Sequence, residues 1–148
     1  MKIRTAQPAD IESLVDFNQK MALETEGKHL DHGVLRSGVE AVFGDKGKGF
    51  YVVCEHDDSI VGGLMVTFEW SDWRNKWFWW IQSVYIVPEA RGKGSYREMY
   101  DFVKARAKDG GNVCGFRLYV EKDNLSAQGV YNRVGMTSSH YLMYEEND

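Results

Sequence analysis

"SVYIVPEARGKGSY", residues 83–96, runs from an apolar stretch into a turn that holds two glycines, two cations and no acid after Glu89. Helical spacing follows at once. From about Gly94 to Lys108, Tyr96, Met99, Tyr100, Val103 and Ala107 share one face. Glycine lets a backbone come close to a ligand, and the first amides of a helix have no internal acceptor and point outward. The helix dipole favours negative charge at that end, and Arg91 and Lys93 add to it. Together these features suit a phosphate. The run is not a P-loop, because no Ser or Thr follows Gly92-Lys93 and the first glycine is missing; nor is it the dinucleotide fingerprint. Taken by itself, the turn is equally compatible with solvated surface charges.

Outward from this turn, the chain reads as alternating strands and helices. "WFWWIQSVYIV" (77–87) is apolar on both faces, as in the centre of a sheet. "FYVVCE" (50–55) and "IVGGLMVTFEW" (60–70) read as a hairpin about the turn "HDDS". "KIRT" (2–5), "GFRLYVE" (115–121) and "SHYLMYEE" (138–145) read as further strands. Pro8 suits the first turn of a helix carrying Ile11, Leu14, Val15, Asn18, Met21 and Ala22, which ends near Gly27. Residues 30–44 form a weaker helix, interrupted by Gly33 and Gly38. In "NLSAQGVYNRVG" (124–135), Asn124 suits an N-cap and Gly135 a stop. The pattern predicts an α/β or α+β fold in one domain, 1–148, with an antiparallel-leaning sheet.

Composition narrows the function. With 148 residues, 43% of them hydrophobic, the chain builds a core without a metal or disulfide. A net charge of −4 favours neither nucleic acid nor an anionic membrane, so one basic turn in an acidic chain points to a small anionic ligand. No apolar run is long enough to span a bilayer, and "MKIRTAQPAD" lacks the apolar core of a signal peptide. Cys54 and Cys114 lack metal-ligand spacing and read as reduced core thiols, which places the protein in the cytoplasm. His29 and His32 have a spacing that suits a metal on a helix, but no third ligand is visible, so no metal is expected.

Two motifs in register carry a family resemblance. "SVYIVPEARGKG" resembles the cofactor-binding motif of the GNAT superfamily of acetyl-CoA-dependent N-acetyltransferases, in which Arg or Gln, Gly, and Gly or Ala follow a central strand. "NLSAQGVYNRVGM" (124–136) resembles the family's closing helix through Asn124, Ala127, Tyr131 and Gly135-Met136, and the order of elements agrees over nearly the whole chain. The resemblance implies a GNAT-like fold, with a central mixed, mostly antiparallel sheet flanked by helices, and acetyl-CoA as cosubstrate. It implies that the backbone of Val84, Tyr85 and Ile86 pairs with the pantetheine arm. Arg91, Gly92, Lys93, Gly94, Ser95, Tyr96 and Arg97 would hold the pyrophosphate, Asn124 would contact the pantetheine arm, and Tyr131 would sit beside the thioester sulfur. Tyr96 departs from the pattern, which has Gly or Ala there. It either packs on the apolar face of its helix or narrows the cofactor groove.

Acetyl transfer needs a neutral amine and a protonated leaving thiol. With an amine pKa of about 10.4, neutrality at pH 7 is uphill by about 4–5 kcal/mol. An N–H near Val84 to Ile86 would stabilise the oxyanion, and Tyr131 is a reasonable acid for the departing thiolate. In diamine acetyltransferases, which this region resembles, a glutamate falls at Gln82; glutamine can position a water or the substrate but takes no proton. Glu24, Glu26 and Glu69 are then the candidate bases or amine-binding carboxylates. All five tryptophans lie between Trp70 and Trp80, and Trp70 and Trp73 are expected to wall an acceptor pocket suited to a cationic amine. The expected activity is acetylation of a small primary amine, such as an amino acid or polyamine, by direct attack on the thioester in a possible homodimer. The alternatives are a catalytically idle acetyl-CoA sensor domain and an acetyltransferase for protein N-termini or lysines.

Overall fold

The computed structural model describes residues 1–148. In chain order the elements are β1 (Lys2–Thr5), α1 (Ile11–Glu26), α2 (His32–Gly44), β2 (Phe50–His56), β3 (Ser59–Ser71), β4 (Lys76–Ile86), α3 (Ser95–Gly110), β5 (Val113–Arg117) and α4 (Leu125–Arg133). Short 3-10 turns precede α1 and follow β4, at Pro8–Asp10 and Pro88–Ala90. The chain forms two compact parts, residues 1–118 and 119–148.

In the first part, the five strands lie side by side in sequence order, β1-β2-β3-β4-β5. The first three pairings are antiparallel and β4–β5 is parallel, so the sheet is mixed and mostly antiparallel, as expected. A parallel neighbour needs a crossover, and α3 supplies it. The β2–β3 hairpin turns through Asp57 and Asp58 at φ 50 and 61, the left-handed pair that a two-residue hairpin loop requires. Gly27 ends α1 in the left-handed region, and the Asp31 carboxylate starts α2 by accepting from the Val34 amide at 2.9 Å.

Alternation along β2 sorts the core into two layers. Tyr51 and Val53 pack with Leu14 and Val15 of α1 and Val39 of α2. Val52, Cys54, Leu64 and Val66 turn to the opposite face, and Met99 and Val103 of α3 are equally buried. Each such side chain contributes about 1.5–3 kcal/mol over leaving it exposed. Cys54 is fully buried and free, and burial raises its thiol pKa. Cys114 is also free and lies against the Trp77 carbonyl at 3.4 Å.

Two strand expectations fail. β5 stops at Arg117 rather than 121, and residues 138–145 form no strand. Tyr141, Leu142, Met143 and Tyr144 are 63, 75, 55 and 89% exposed. Aromatic and apolar residues favour strands on a half-buried, pleated surface, and these four side chains are exposed. In the second part α4 is regular: the Asn124 carboxamide oxygen caps it by accepting from the Ala127 amide at 3.1 Å.

Candidate functional site

The turn between β4 and α3 has the form its glycines suggest. Gly92 and Gly94 sit at φ 74 and 83, and a Cβ on either would meet nothing within 4 Å. Glycine is needed there for the left-handed backbone, not for lack of room. Gly94 is the N-cap of α3, and the first intrahelical bond runs from the Glu98 amide to the Gly94 carbonyl at 3.0 Å. The amides of Ser95, Tyr96 and Arg97 therefore lie ahead of the internal ladder, where an anion can take them. Ser95 is buried and donates its hydroxyl to the Ala90 carbonyl at 3.4 Å, fixing the turn from inside. Lys93 is exposed. Tyr96 is 5% exposed and stacks on Tyr100 with ring centroids 5.9 Å apart. It packs into the core with its backbone at the helix start, so its bulk lies away from the turn.

Arg91 has other partners than a phosphate. Its guanidinium meets the Glu24 carboxylate at 2.9 Å, donates from Nε to the Ile86 carbonyl at 2.8 Å and lies 5.4 Å from the Tyr85 ring centroid. Tyr85 also donates to Glu24 at 3.2 Å, and burial, then this carboxylate, raises its phenol pKa. An ion pair this exposed is worth about 0.2–1 kcal/mol, so it orients the turn against α1 more than it stabilises the fold. A cleft of about 380 Å³ opens here between Lys20, Leu23 and Glu24 of α1 and Tyr85 at the end of β4.

β4 carries a bulge that periodicity did not reveal. Gly63 pairs with Tyr85 and Met65 with Gln82, so Leu64 faces two residues, Ser83 and Val84. Ser83 takes up the extra residue at φ 53, a left-handed backbone that costs a non-glycine residue about 1–2 kcal/mol. The parallel pairing with β5 runs only from Trp77 to Trp80. Beyond the bulge, the Val87 amide donates toward β3, to the Val61 carbonyl, so by alternation the polar groups of Ile86 face away from β3. Strand β4 thus turns the Ile86 amide outward beside the glycine turn, while the Ile86 carbonyl is held by Arg91. An extended ligand with amides and a pyrophosphate fits this edge and turn.

Gln82 stands immediately before the bulge, half-buried, with Nε2 donating to the Thr67 hydroxyl at 2.6 Å. On the same face follow Trp80, Glu69 and Phe78. The Glu69 carboxylate accepts from the Trp80 indole at 2.7 Å and pairs with Arg117 at 3.1 Å. Glu69 is therefore already engaged, as is Glu24, and exposed Glu26 lies 3.5 Å from Lys28. Trp70 packs edge-on against Trp77, with Trp77 and Phe68 in contact, on the other face from Glu69. Trp73 is 88% exposed. The two tryptophans expected to wall a pocket with Glu69 thus do not gather around it; Trp80 and Phe78 do. Neither the bulge nor the Arg91–Glu24 pair was legible from spacing, although Ser83 inside an apolar run was a polar anomaly.

In residues 119–148, Asn124 spends its side-chain oxygen on capping α4, and burial raises the Tyr131 phenol above its ordinary value. Tyr131 therefore keeps its proton throughout the neutral range. No group of three or more His, Cys, Asp or Glu side chains is arranged to hold a metal, His29 and His32 included. No helix is long and apolar enough to cross a membrane.

The model of the Acetyltransferase (GNAT) family matches residues 14–136. Among solved structures, a possible acetyltransferase from Clostridium difficile 630 is 43% identical, with a TM-score of 0.91 over 99% of this chain and 97% of that one. A predicted acetyltransferase from Clostridium acetobutylicum, solved with acetyl-CoA, is 19% identical with a TM-score of 0.80, covering 98% of this chain and 95% of that one. An aminoglycoside antibiotic 6'-N-acetyltransferase from Acinetobacter haemolyticus is 12% identical, also at 0.80, covering 100% of this chain and 99% of that one. The last two likenesses concern the fold. No curated protein sequence matches this chain significantly.

Proposed function

We propose, from the premise that this chain belongs to the GNAT family of acetyltransferases and is an N-acetyltransferase using acetyl-CoA, that its acceptor is the primary amine of a small molecule. The observation that supports this acceptor is the setting of Gln82. It is half-buried beside the bulge, held by Thr67, on a face closed in by Trp80, Phe78 and the Glu69–Arg117 pair. That patch suits a small molecule better than a peptide lying in a groove.

The roles are those that the family membership suggests for these residues. The amides of Ser95 to Arg97, set by Gly92 and Gly94, hold the pyrophosphate, with Lys93 beside them. The outer edge at Val84 to Ile86 pairs with the pantetheine amides, with Arg91 giving up the Ile86 carbonyl or leaving the N–H groups to do so, and one of those N–H groups receives the thioester oxygen as charge develops. Losing such a donor typically costs about 2.7–4 kcal/mol. Gln82 orients the amine, or the water that relays its proton, through its carbonyl oxygen. It takes no proton, and Glu24 and Glu69 are each paired with an arginine, so the amine enters already neutral or loses its proton to water. By the family resemblance alone, Tyr131 is the acid for the departing thiolate, and its buried phenol keeps its proton for that step. Acetyl-CoA itself supplies the activated acyl group.

The experiment is an acceptor screen that follows free thiol release from acetyl-CoA. Small primary amines are expected to turn over, and peptides with free N-termini or lysines are expected not to. Turnover confined to peptides would replace the small-molecule reading. Acetyl-CoA binding without turnover of any acceptor would favour an idle sensor domain, but core-packed Tyr96 offers that reading no support.

A further inference from the structure

Arg91 ends where a bound cofactor needs room. Its Nε donates to the Ile86 carbonyl at 2.8 Å. That carbonyl points away from β3, on the edge where an added strand would lie about 4.8 Å from β4. A donor at 2.8 Å stands in the place of such a strand's own N–H, and the guanidinium behind it fills the gap. The other end of the guanidinium is held from α1. One terminal nitrogen meets the two Glu24 oxygens at 2.9 and 3.2 Å, and the guanidinium carbon lies 5.4 Å from the Tyr85 ring centroid. The Tyr85 hydroxyl donates to the same carboxylate at 3.2 Å, which fixes Glu24 in turn. Nothing in α1 asks for Glu24. It stands in the last turn of that helix, where the helix dipole disfavours a carboxylate, and no basic side chain of that turn balances it. Its ion-pair partner is Arg91, 67 positions on.

We propose that Arg91, drawn over the outer edge of β4 by Glu24, closes the pantetheine track in the free enzyme, and that Glu24 thereby sets the affinity for acetyl-CoA. The inference rests on the reading of Val84 to Ile86 as the track of the pantetheine arm. To pair with Ile86, the arm must first turn Arg91 off the carbonyl, against the pull of Glu24. Magnitude makes this a latch and not a block. The two side chains are 46 and 42% exposed, and an ion pair so placed shifts an equilibrium by about fivefold at most. The contact of the cation with the Tyr85 ring adds little at such exposure. A ligand that brings its own amides, and a phosphate for the adjoining helix start, overcomes that. The sign separates the latch from a structural role. Removing an acid on α1, outside the track, is expected to tighten the cofactor, whereas losing a contact that merely props up the turn would loosen it.

The test is calorimetry of acetyl-CoA, without acceptor, on wild type, Glu24→Ala, Arg91→Met and the double variant. Glu24→Ala is expected to bind about threefold more tightly than wild type. The same change made in Arg91→Met is expected to alter affinity by less than about 1.5-fold, because the partner it releases is already gone. Glu24→Gln, which keeps an acceptor for the Tyr85 hydroxyl, is expected to move in the same direction as Glu24→Ala. Glu89→Ala separates the latch from bulk charge. Glu89 is an exposed acid that lines the same cleft, two residues before Arg91, and its removal is expected to leave affinity within about 1.5-fold of wild type. Unchanged or weaker binding in both Glu24 variants overturns the proposal. So does an equal gain in Glu89→Ala, or in the Arg91→Met background, since either is what a general charge effect would give. A wild type that binds no acetyl-CoA removes the cofactor track itself, and this proposal with it. A wild type that binds with an affinity the Glu24 variants leave untouched removes only the latch.

Discussion

At Gln82 the amide nitrogen is spent on Thr67, and the carbonyl oxygen is left to meet an amine or its water. The rate should therefore follow the free amine. For wild type, kcat/KM is expected to rise with pH up to the amine's own pKa, without a plateau from an enzyme group near neutrality. Gln82→Glu places a carboxylate at the same point and should move the profile to lower pH. A wild-type ionisation between about pH 6 and 8, not traceable to the substrate, would point to a base elsewhere. Tyr131→Phe removes only a hydroxyl; a fall in kcat of about 10²-fold is expected, with acetyl-CoA affinity unchanged by calorimetry. Because burial raises the Tyr131 phenol, its loss of proton should not cut the rate below about pH 10. Local sequence, read through the family resemblance, singled out Gln82 and Tyr131. It could not give Glu24 and Glu69 theirs, because their arginine partners lie 67 and 48 positions away.

Among the elements, the strand–turn–helix unit was the most legible, since each part has a local cause: an apolar strand, left-handed glycines and a helical stripe. Gly94 offers the clearest test. Valine there would find open space but a backbone at φ 83, so the cost is conformational, about 1–2 kcal/mol, and the first amides of α3 would turn. Affinity for acetyl-CoA is expected to fall by tenfold or more, read by calorimetry, while helix content by circular dichroism stays near wild type. Affinity within about twofold of wild type would remove the turn from the binding site. The bulge at Ser83 escaped the sequence reading because no glycine marks it. Residues 138–145 misled in the opposite way, with strand-forming side chains in a segment that forms no strand.

For the molecule as a whole, the first part of the chain is tied at its start by Arg4, which bonds Asp10 at 2.7 and 3.0 Å and Glu55 at 2.6 Å. The Asp10 side chain is only 7% exposed, and its hydrogen bonds from Arg4 hold its carboxyl below the usual range. A depressed folded-state pKa adds stability that is fully present above the unfolded value of about 3.9 and is lost as pH falls through the folded one. Asp10→Asn should destabilise by about 2–3 kcal/mol at pH 7, since Arg4 loses its best-buried partner. The difference from wild type in denaturant midpoint should shrink below about pH 4; a constant difference down to pH 2 would contradict the assignment. The β2–β3 hairpin was readable because a short turn joins its strands; the pairing of β1 with β2 was not, because α1 and α2 lie between them in the chain. How residues 119–148 behave was not, and the clustering of Trp70, Trp77, Trp79 and Trp80 in β3 and β4, with Trp73 in the loop that joins them, has a practical consequence. Tryptophan fluorescence of this protein is the emission of one hairpin. A melting curve followed that way reports when β3 and β4 part, and it carries no tryptophan signal from α4. A second probe, such as a fluorophore attached beyond residue 119, is needed before any transition is taken as that of the whole chain.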